Sequence, residues 1–541
     1  MNRPGVLSVR RRLTTRATVH LASFATLAAA VTVAAMSPTQ AAITGSRPHV
    51  NLETATIPQL QAALSSRKIT SEQLTADYIA RIRALNTSGP GLNAVRVLND
   101  RALEEAKQAD KERKKGTVRG PLHGIPVLVK DNIDVRHLPT TAGSLALADS
   151  RPAGDAFLVE RLRAAGAVIL GKTNLTEFAN FTTSGMPSGY SSLGGQVLNP
   201  YDVSQTPSGS SSGSGVAAAA GLAAVTVGTE TSGSILSPSV ANSLVGVKPT
   251  VGLVSRTGIV PIAASQDTAG PMARSVYDAA ALLTAMTGVD PEDPATATSR
   301  DVAGTDFTVG LREDALKGVR IGVASDPAGN QGAAFDRALD VLRAQGATLV
   351  DVTVDTDGLP PSILTYEFKR DLNAYLARLP RNAPMRTLDD IVAYNLAHAA
   401  EGTVKFGQTL LVESNEIDLD DPATKEAYES DRDRGMATAR ERIDGALTAA
   451  DVSAIVFAGN GSAAIGARAQ YPSVALPIGY DPANGRPFGM TFLGTAYTEA
   501  ALLSYAYAYE QAAQEWRPPS AVNPSLFRCA SPARPQRTCA P

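Results

Sequence analysis

Histidine and cysteine, the side chains from which most catalytic bases and metal sites are made, are scarce in this chain of 541 residues. There are five histidines (His20, His49, His123, His137 and His398) and two cysteines (Cys529 and Cys539). No HExxH motif and no paired Cys/His set occurs, and Asp418, Asp420 and Asp421 read as a solvated loop rather than a calcium cage. No metal or other cofactor is therefore expected. Charge of one sign is also lacking: 50 Lys and Arg stand against 52 Asp and Glu, a net of −2. The one basic run, Lys111 to Lys115, falls on a predicted helix face, so nucleic acid is not an expected partner. Beyond the N-terminal region no apolar run approaches the length of a membrane span. Repeats of solenoid length are missing, and no Gly/Ser or charged linker divides the rest of the chain. At 44% hydrophobic and 19% charged residues, the composition is that of an ordinary globular protein.

The two ends differ from the middle. Arg10-Arg11-Arg12 and Arg16 precede an Ala-rich apolar stretch from Val19 to Met36, and Thr39-Gln40-Ala41 offers small residues for cleavage before Ala42. Residues 1–41 thus read as an export signal, which makes a secreted protein the expectation; the choice between Sec and twin-arginine routes is open. At the other end, residues 519–541 form a Pro/Arg-rich tail. A Cys529–Cys539 bridge there suits an oxidising compartment, and two free thiols are the alternative.

Between the ends, strand and helix signals alternate. Thr56-x-x-Gln59 and Thr70-x-x-Gln73 are capping-box patterns, and Leu74, Tyr78, Ile82 and Leu85 recur at helical spacing. A helix from about Asn99 to Lys115 leads to the strand-like GIPVLVKDNID, and Asp155 to Asn180 reads as helix, glycine turn, strand and the start of another helix. Asp290 to Phe307 lacks periodicity and is expected to cross the surface. Strand, helix and strand follow at Arg320–Asp326, Ala333–Ala344 and Thr348–Val354. Helices at Leu388–Ala399 and Pro422–Ala449, three strands between Val452 and Gly494, and a helix at Thr498–Gln514 complete the pattern, which is that of an α/β protein.

The most distinctive stretch is Pro207 to Thr250. A Ser/Gly cluster, Ser208 to Gly215, runs into the small-residue run Val216 to Ala224, then a short strand, then the turn Thr231-Ser232-Gly233-Ser234. In isolation the cluster reads as a flexible linker. Its flanks argue otherwise, since an apolar stretch and a second Ser/Gly turn follow at once, and two such turns can form one pocket. Upstream, Lys130 ends an apolar strand; on the residues alone it reads as a strand-end charge paired with Asp131.

This segment resembles the signature of the amidase signature family of serine hydrolases, in which a Gly/Ser run is followed at a fixed distance by a turn bearing the nucleophile. Ser210 and Ser234 stand at the family's separation, and Val245-Gly246-Val247-Lys248-Pro249-Thr250 and the strand ending in Lys130 also fit. The resemblance implies a single large domain over residues 43–518, α/β in class, with a twisted mixed sheet covered by helices on both sides. It implies a Ser-Ser-Lys triad, with Ser234 as nucleophile, Ser210 as bridging serine and Lys130 as base. Backbone N–H groups of Thr231, Ser232, Gly233 and Ser234 would hold the oxyanion, Ser211 would steady Ser234 or Lys130, and Asp267 would be a supporting carboxylate. The lysine would have to be neutral, a shift of about three units from its ordinary value near 10.4, which desolvation can supply. A histidine base is not expected, because no G-x-S-x-G elbow occurs in the required setting; His123 reads as a structural side chain near the site.

Within the family the likeness runs to bacterial peptide amidases, carried by Lys130–Val135, Gly228–Ile235, Lys248–Ile262, Tyr366–Lys369, Phe406–Ser414 and Tyr507–Gln511. It implies deamidation of C-terminally amidated peptides or small amides with release of ammonia, by a monomer or homodimer that needs no partner beyond its substrate. A fatty-amide, aryl-amide or ester hydrolase, and a catalytically silent amide-binding member, are the alternatives. Three places depart from the family pattern: Ser232 and Leu236 in the nucleophile turn, and the loop at Val456–Gly461, which lacks the usual Pro-Thr pair.

Overall fold

The sheet is built from short apolar strands whose ends carry the polar residues of interest. In the computed structural model, which describes residues 50–524 and Phe527, the strands are β1 (Val95–Leu98), β2 (Pro126–Lys130), β3 (Val168–Thr173), the small pair β4 (Tyr190–Ser191) and β5 (Gly195–Gln196), β6 (Val225–Glu230), β7 (Val245–Lys248), β8 (Thr268–Ala273), β9 (Arg320–Val323), β10 (Thr348–Asp351), β11 (Ala454–Ala458), β12 (Ser473–Tyr480) and β13 (Pro487–Leu493). All but β4 and β5 join one eleven-stranded sheet in the order β1-β3-β2-β6-β8-β7-β12-β13-β11-β9-β10. It is mixed: β2 runs parallel to both β3 and β6, while β8, β7, β12 and β13 alternate antiparallel. Strands β2, β3 and β6 are buried along their whole length, as expected for parallel strands covered on both faces.

The parallel pairing of β2 and β6 fixes where chemistry can occur. Val127, Leu128 and Val129 face Val225, Thr226 and Val227, so the two strands end side by side, one at Lys130 and the other at Glu230. Ligands of open α/β sheets bind outside such carboxyl ends.

The first two helices form where the sequence signals them, whereas Leu364–Arg378 is a helix that the sequence reading did not place. Ile57–Ser65 and Ser71–Leu85 each carry a complete capping box, with Gln59 and Gln73 as the reciprocal partners of Thr56 and Thr70. The basic run lies in the last turn of Ala102–Lys114, where cations favour the helix dipole. The small-residue helix begins earlier than the composition indicates. It spans Ser212–Ala219, starting inside the Ser/Gly cluster, and all eight residues are buried. Small side chains are required there: a Cβ on Gly213 would lie 2.3 Å from the Asn174 carbonyl oxygen and 2.4 Å from that of Ala94. Asp290–Phe307 is more ordered than its lack of periodicity suggests, since it contains the 3-10 helix Pro294–Ser299 with Asp290, Asp293, Thr296 and Ser299 buried.

Packing continues past residue 518. Pro519–Val522 is a short helix, Ser520 donates to both carboxylate oxygens of Glu53 (3.1 Å from N, 2.7 Å from Oγ), and Phe527 joins the main hydrophobic core. These contacts join residues 519–522 and Phe527 to the packed body. The export-signal reading of residues 1–41, the domain start at Ile43 and the Cys529–Cys539 pairing lie outside the described residues. Among the described residues no helix is long and apolar enough to cross a membrane.

Candidate active site

Lys130 is the last residue of β2 and fully buried. Successive strand residues point to opposite faces, and this separates it from the neighbour with which sequence paired it. Asp131 turns the other way, to Lys172 (Oδ1–Nζ 2.9 Å) and Arg96 (Oδ2–Nε 2.7 Å). Lys130 has no carboxylate within ion-pair distance among the described residues. Its Nζ instead lies 2.8 Å from Ser210 Oγ, 2.9 Å from Thr229 Oγ1 and 3.3 Å from the Thr229 carbonyl oxygen. Burial pulls its pKa down to about 7; the negative fields of Asp267 and Glu230 oppose the shift without cancelling it.

Ser210, also fully buried, precedes the Ser212–Ala219 helix. Thr176 N–H donates to the Ser210 carbonyl (3.1 Å), and the Gly209–Ser210 peptide is cis. Ser211 holds the end of β6: its hydroxyl donates to the Thr229 carbonyl (3.0 Å) and accepts from Thr229 N–H (3.2 Å), while its own N–H donates to the Ser234 carbonyl (3.2 Å). Main-chain bonding thus ties the turn of Ser234 to the Lys130–Ser210 pair. Among the described residues no hydrogen bond joins the Ser210 and Ser234 side chains.

The turn Thr231–Ser234 follows β6 and is clamped from inside by Glu230. The Glu230 carboxylate is fully buried and accepts from Ile235 N–H (2.7 Å) and Leu236 N–H (2.9 Å), with the Gly233 N–H adding to its support. Burial raises its pKa, against the opposing field of buried Lys248. Gly233 has φ +97°, a conformation that suits glycine. Ser232 is exposed, and Ser234 is 9% exposed. On the far side of the turn, the Thr231 hydroxyl donates to Asp267 Oδ1, and Asp267 Oδ2 accepts from Ile262 N–H (2.8 Å) and Ala263 N–H (3.0 Å). Burial pushes the Asp267 carboxyl up to about 7. A cavity of about 340 Å³ opens beside this face of the site, with Asn132, Thr229, Thr231 and Asp267 in its wall.

Three sequence expectations are corrected or sharpened. His123 is not near the site: it precedes β2, at the end opposite Lys130, and its Nε2 lies 3.0 Å from the Ala109 carbonyl. Leu236 carries no charge because its place is apolar; it is fully buried against Ala463 and Ala475. The loop after β11 does border the Thr231–Ser234 turn, since Asn460 Nδ2 donates to Ser237 Oγ (2.6 Å) and a Cβ on Gly233 would lie 3.4 Å from that of Ala463. Sequence reasoning did not single out Thr229, Asn132 or Glu230. Thr229 Oγ1 receives both Lys130 and Asn132 Nδ2 (3.0 Å); the only available signal was its place in the strand running parallel to that of Lys130.

A buried lysine with no ion-pair partner among the described residues, bonded to a serine beside a glycine turn that holds a second serine, is an arrangement with which acyl transfer can be carried out. The chain belongs to the amidase family, whose profile matches residues 73–470, and it is accordingly a hydrolase of amide C–N bonds. Among its relatives, a protein of Arabidopsis thaliana named a probable amidase is 40% identical over 489 residues, covering 87% of this chain and 92% of that one. The peptide amidase of Stenotrophomonas maltophilia superposes with a TM-score of 0.81 at 46% identity, over 86% of this chain and 98% of that one. An amidase family protein of Bacillus anthracis gives 0.83 at 39% identity, over 86% and 92%.

Proposed function

We propose that this amidase cleaves carboxamides through an acyl-Ser234 intermediate, with Lys130 as base and Ser210 as the bridge between them. The observation that carries the reading is the 2.8 Å approach of Ser210 Oγ to a buried Lys130 Nζ that has no acid partner. A neutral amine has two N–H donors and one lone pair. Thr229 offers two acceptors, its Oγ1 and its carbonyl oxygen, so the lone pair is left for the Ser210 hydroxyl proton. Ser210 then takes a proton from Ser234 as it gives its own to Lys130. The relay is completed by rotation of the small Ser234 side chain between staggered positions.

Attack of Ser234 Oγ on the amide carbon places negative charge on the carbonyl oxygen, which the N–H groups of the Thr231–Ser234 turn receive. Such donors are worth about 3 kcal/mol each. Because Gly233 N–H also supports Glu230, Thr231, Ser232 and Ser234 are the main donors. The proton returns through Ser210 to the leaving nitrogen, the C–N bond breaks, and water releases the acid by the same steps in reverse.

The substrate class assigned is C-terminally amidated peptides and related small amides, with ammonia as co-product. Its support is the 46% identity to the Stenotrophomonas peptide amidase, spread over most of both chains. Export by residues 1–41 belongs to the same reading. An ammonia-release panel of peptide amides, fatty amides, aryl amides and esters tests it. Preference for peptide amides, with internal peptide bonds left intact, is the expected result; preference for long-chain or aryl amides refutes the substrate assignment and leaves the triad standing.

A further inference from the structure

A second cavity, of about 320 Å³, lies on the other side of the 262–267 loop, between the helices Leu364–Arg378 and Pro422–Ala450. Arg256 and Ala264 line both cavities, so the loop is a shared partition. Four arginines face the second one. Three have acid partners: Arg256 with Asp293, Arg370 with Asp371 and Glu367, and Arg432 with Asp433. The acids on the wall are engaged as well, Glu367 by Ser265 N–H, the Ser265 hydroxyl and the Tyr428 hydroxyl, and Asp431 by Arg434.

Arg468 is the exception. It is partly buried, no carboxylate lies within ion-pair distance among the described residues, and its single hydrogen bond runs from Nη1 to the Pro360 carbonyl (2.7 Å). Its Nε and Nη2 are uncommitted, and burial alone lowers its pKa. On the wall of the same cavity Gln266 is 8% exposed, and its carboxamide makes no hydrogen bond within the described residues. The free N–H groups of Arg468 and the Gln266 amide are therefore left to water or to a ligand that enters the cavity. Both lie on the wall of the same cavity, where Pro361, Ile363 and Met436 add apolar surface.

From this juxtaposition we infer that the cavity is a binding site for a small organic carboxylate, held by the Arg468 guanidinium fork and the Gln266 amide, with its short apolar group against Ile363 and Met436. A carboxylate accepts two parallel bonds from guanidinium, a geometry that ammonium cannot reproduce. Amide hydrolysis itself generates a carboxylate, so a ligand of this class arises wherever the enzyme works. The inference does not rest on the role of Ser234.

The test is titration calorimetry of the full chain with sodium isovalerate, with inorganic phosphate as a second anion. Saturable isovalerate binding, tighter than phosphate and unchanged in Ser234→Ala, is expected. Arg468→Gln should weaken it tenfold or more, Gln266→Leu by a smaller factor, and Arg468→Lys, which keeps the charge and loses the fork, to a value between wild type and Arg468→Gln. Gln266→Leu and Arg468→Lys keep the inference testable if Arg468→Gln fails to fold. No saturable binding, or binding indifferent to substitution at 266 and 468, overturns it; so does isovalerate lost on acylation of the catalytic serine, which would put the acid in the active site alone.

Discussion

In the proposed mechanism Lys130 matters most at the residue scale, because its environment, not its identity, would make it a base. An ammonium cannot accept a proton, so activity requires the neutral form. Since burial brings the pKa down to about 7, kcat/KM should rise with pH through about 7 and level off above it, and this acid limb should disappear with the activity in Lys130→Ala. Asp267 raises the lysine's pKa by its negative field. Removing that charge in Asp267→Asn should therefore move the limb to lower pH, a shift that a pH–rate profile reads directly. Some of this was legible in the chain: Lys130, Ser210 and Ser234 were singled out by their motifs and do lie in one neighbourhood. Their surroundings were not. On the residues alone Asp131 is the natural partner of Lys130, and only strand alternation sends it to Lys172 and Arg96 instead. Glu230 was hidden inside its motif, because nothing linear shows that a carboxylate turns inward to accept from Ile235 and Leu236, the two residues that follow Ser234.

At the scale of elements, the Ser212–Ala219 helix is the piece that most constrains the site. The Ser/Gly cluster at its start is linker-like only in isolation, a reading its flanks already argue against, and burial of every residue of the helix makes it a rod packed in the core. Gly213→Ala should be poorly tolerated. The new methyl group would strike two backbone carbonyl oxygens, neither of which can move like a side chain, so a loss of about 1–3 kcal/mol or more is expected in denaturant unfolding. Reduced turnover should accompany it, since Ser210 and Ser211 lead into this helix. Thr70→Ala is the contrasting case. It removes the cap at Gln73 N–H (3.1 Å), far along the chain from the catalytic strands, and should lower stability by about 1 kcal/mol while leaving kcat unchanged. That cap was legible because both partners lie three residues apart. The start of the Ser212–Ala219 helix was not, because serine and glycine are poor helix formers and glycine is required there by the close approach of Ala94, Asn174 and Asn242.

For the molecule as a whole, the alternation of strand and helix signals was enough to name the α/β class, and the boundaries of the last three strands and the final helix were readable to within a few residues. The order of the eleven strands was not, since it depends on long-range pairing such as β7 with β12. Nor was the attachment of the C-terminal segment, where Ser520 reaches Glu53 across nearly the full chain. Because the chemistry is assigned entirely to a lysine, two serines and main-chain N–H groups, turnover should be unchanged in EDTA, as measured by ammonia release. The central claim is most directly tested by acid-quenching the enzyme during turnover of an activated amide or ester and mapping the acylated peptide by mass spectrometry. The account predicts an acyl group on Ser234, with neither adduct nor turnover in a folded Ser234→Ala protein, where activity should fall roughly 10⁴-fold or more. An adduct on another residue, or a Ser234→Ala enzyme that still hydrolyses amides at near the native rate, would contradict it.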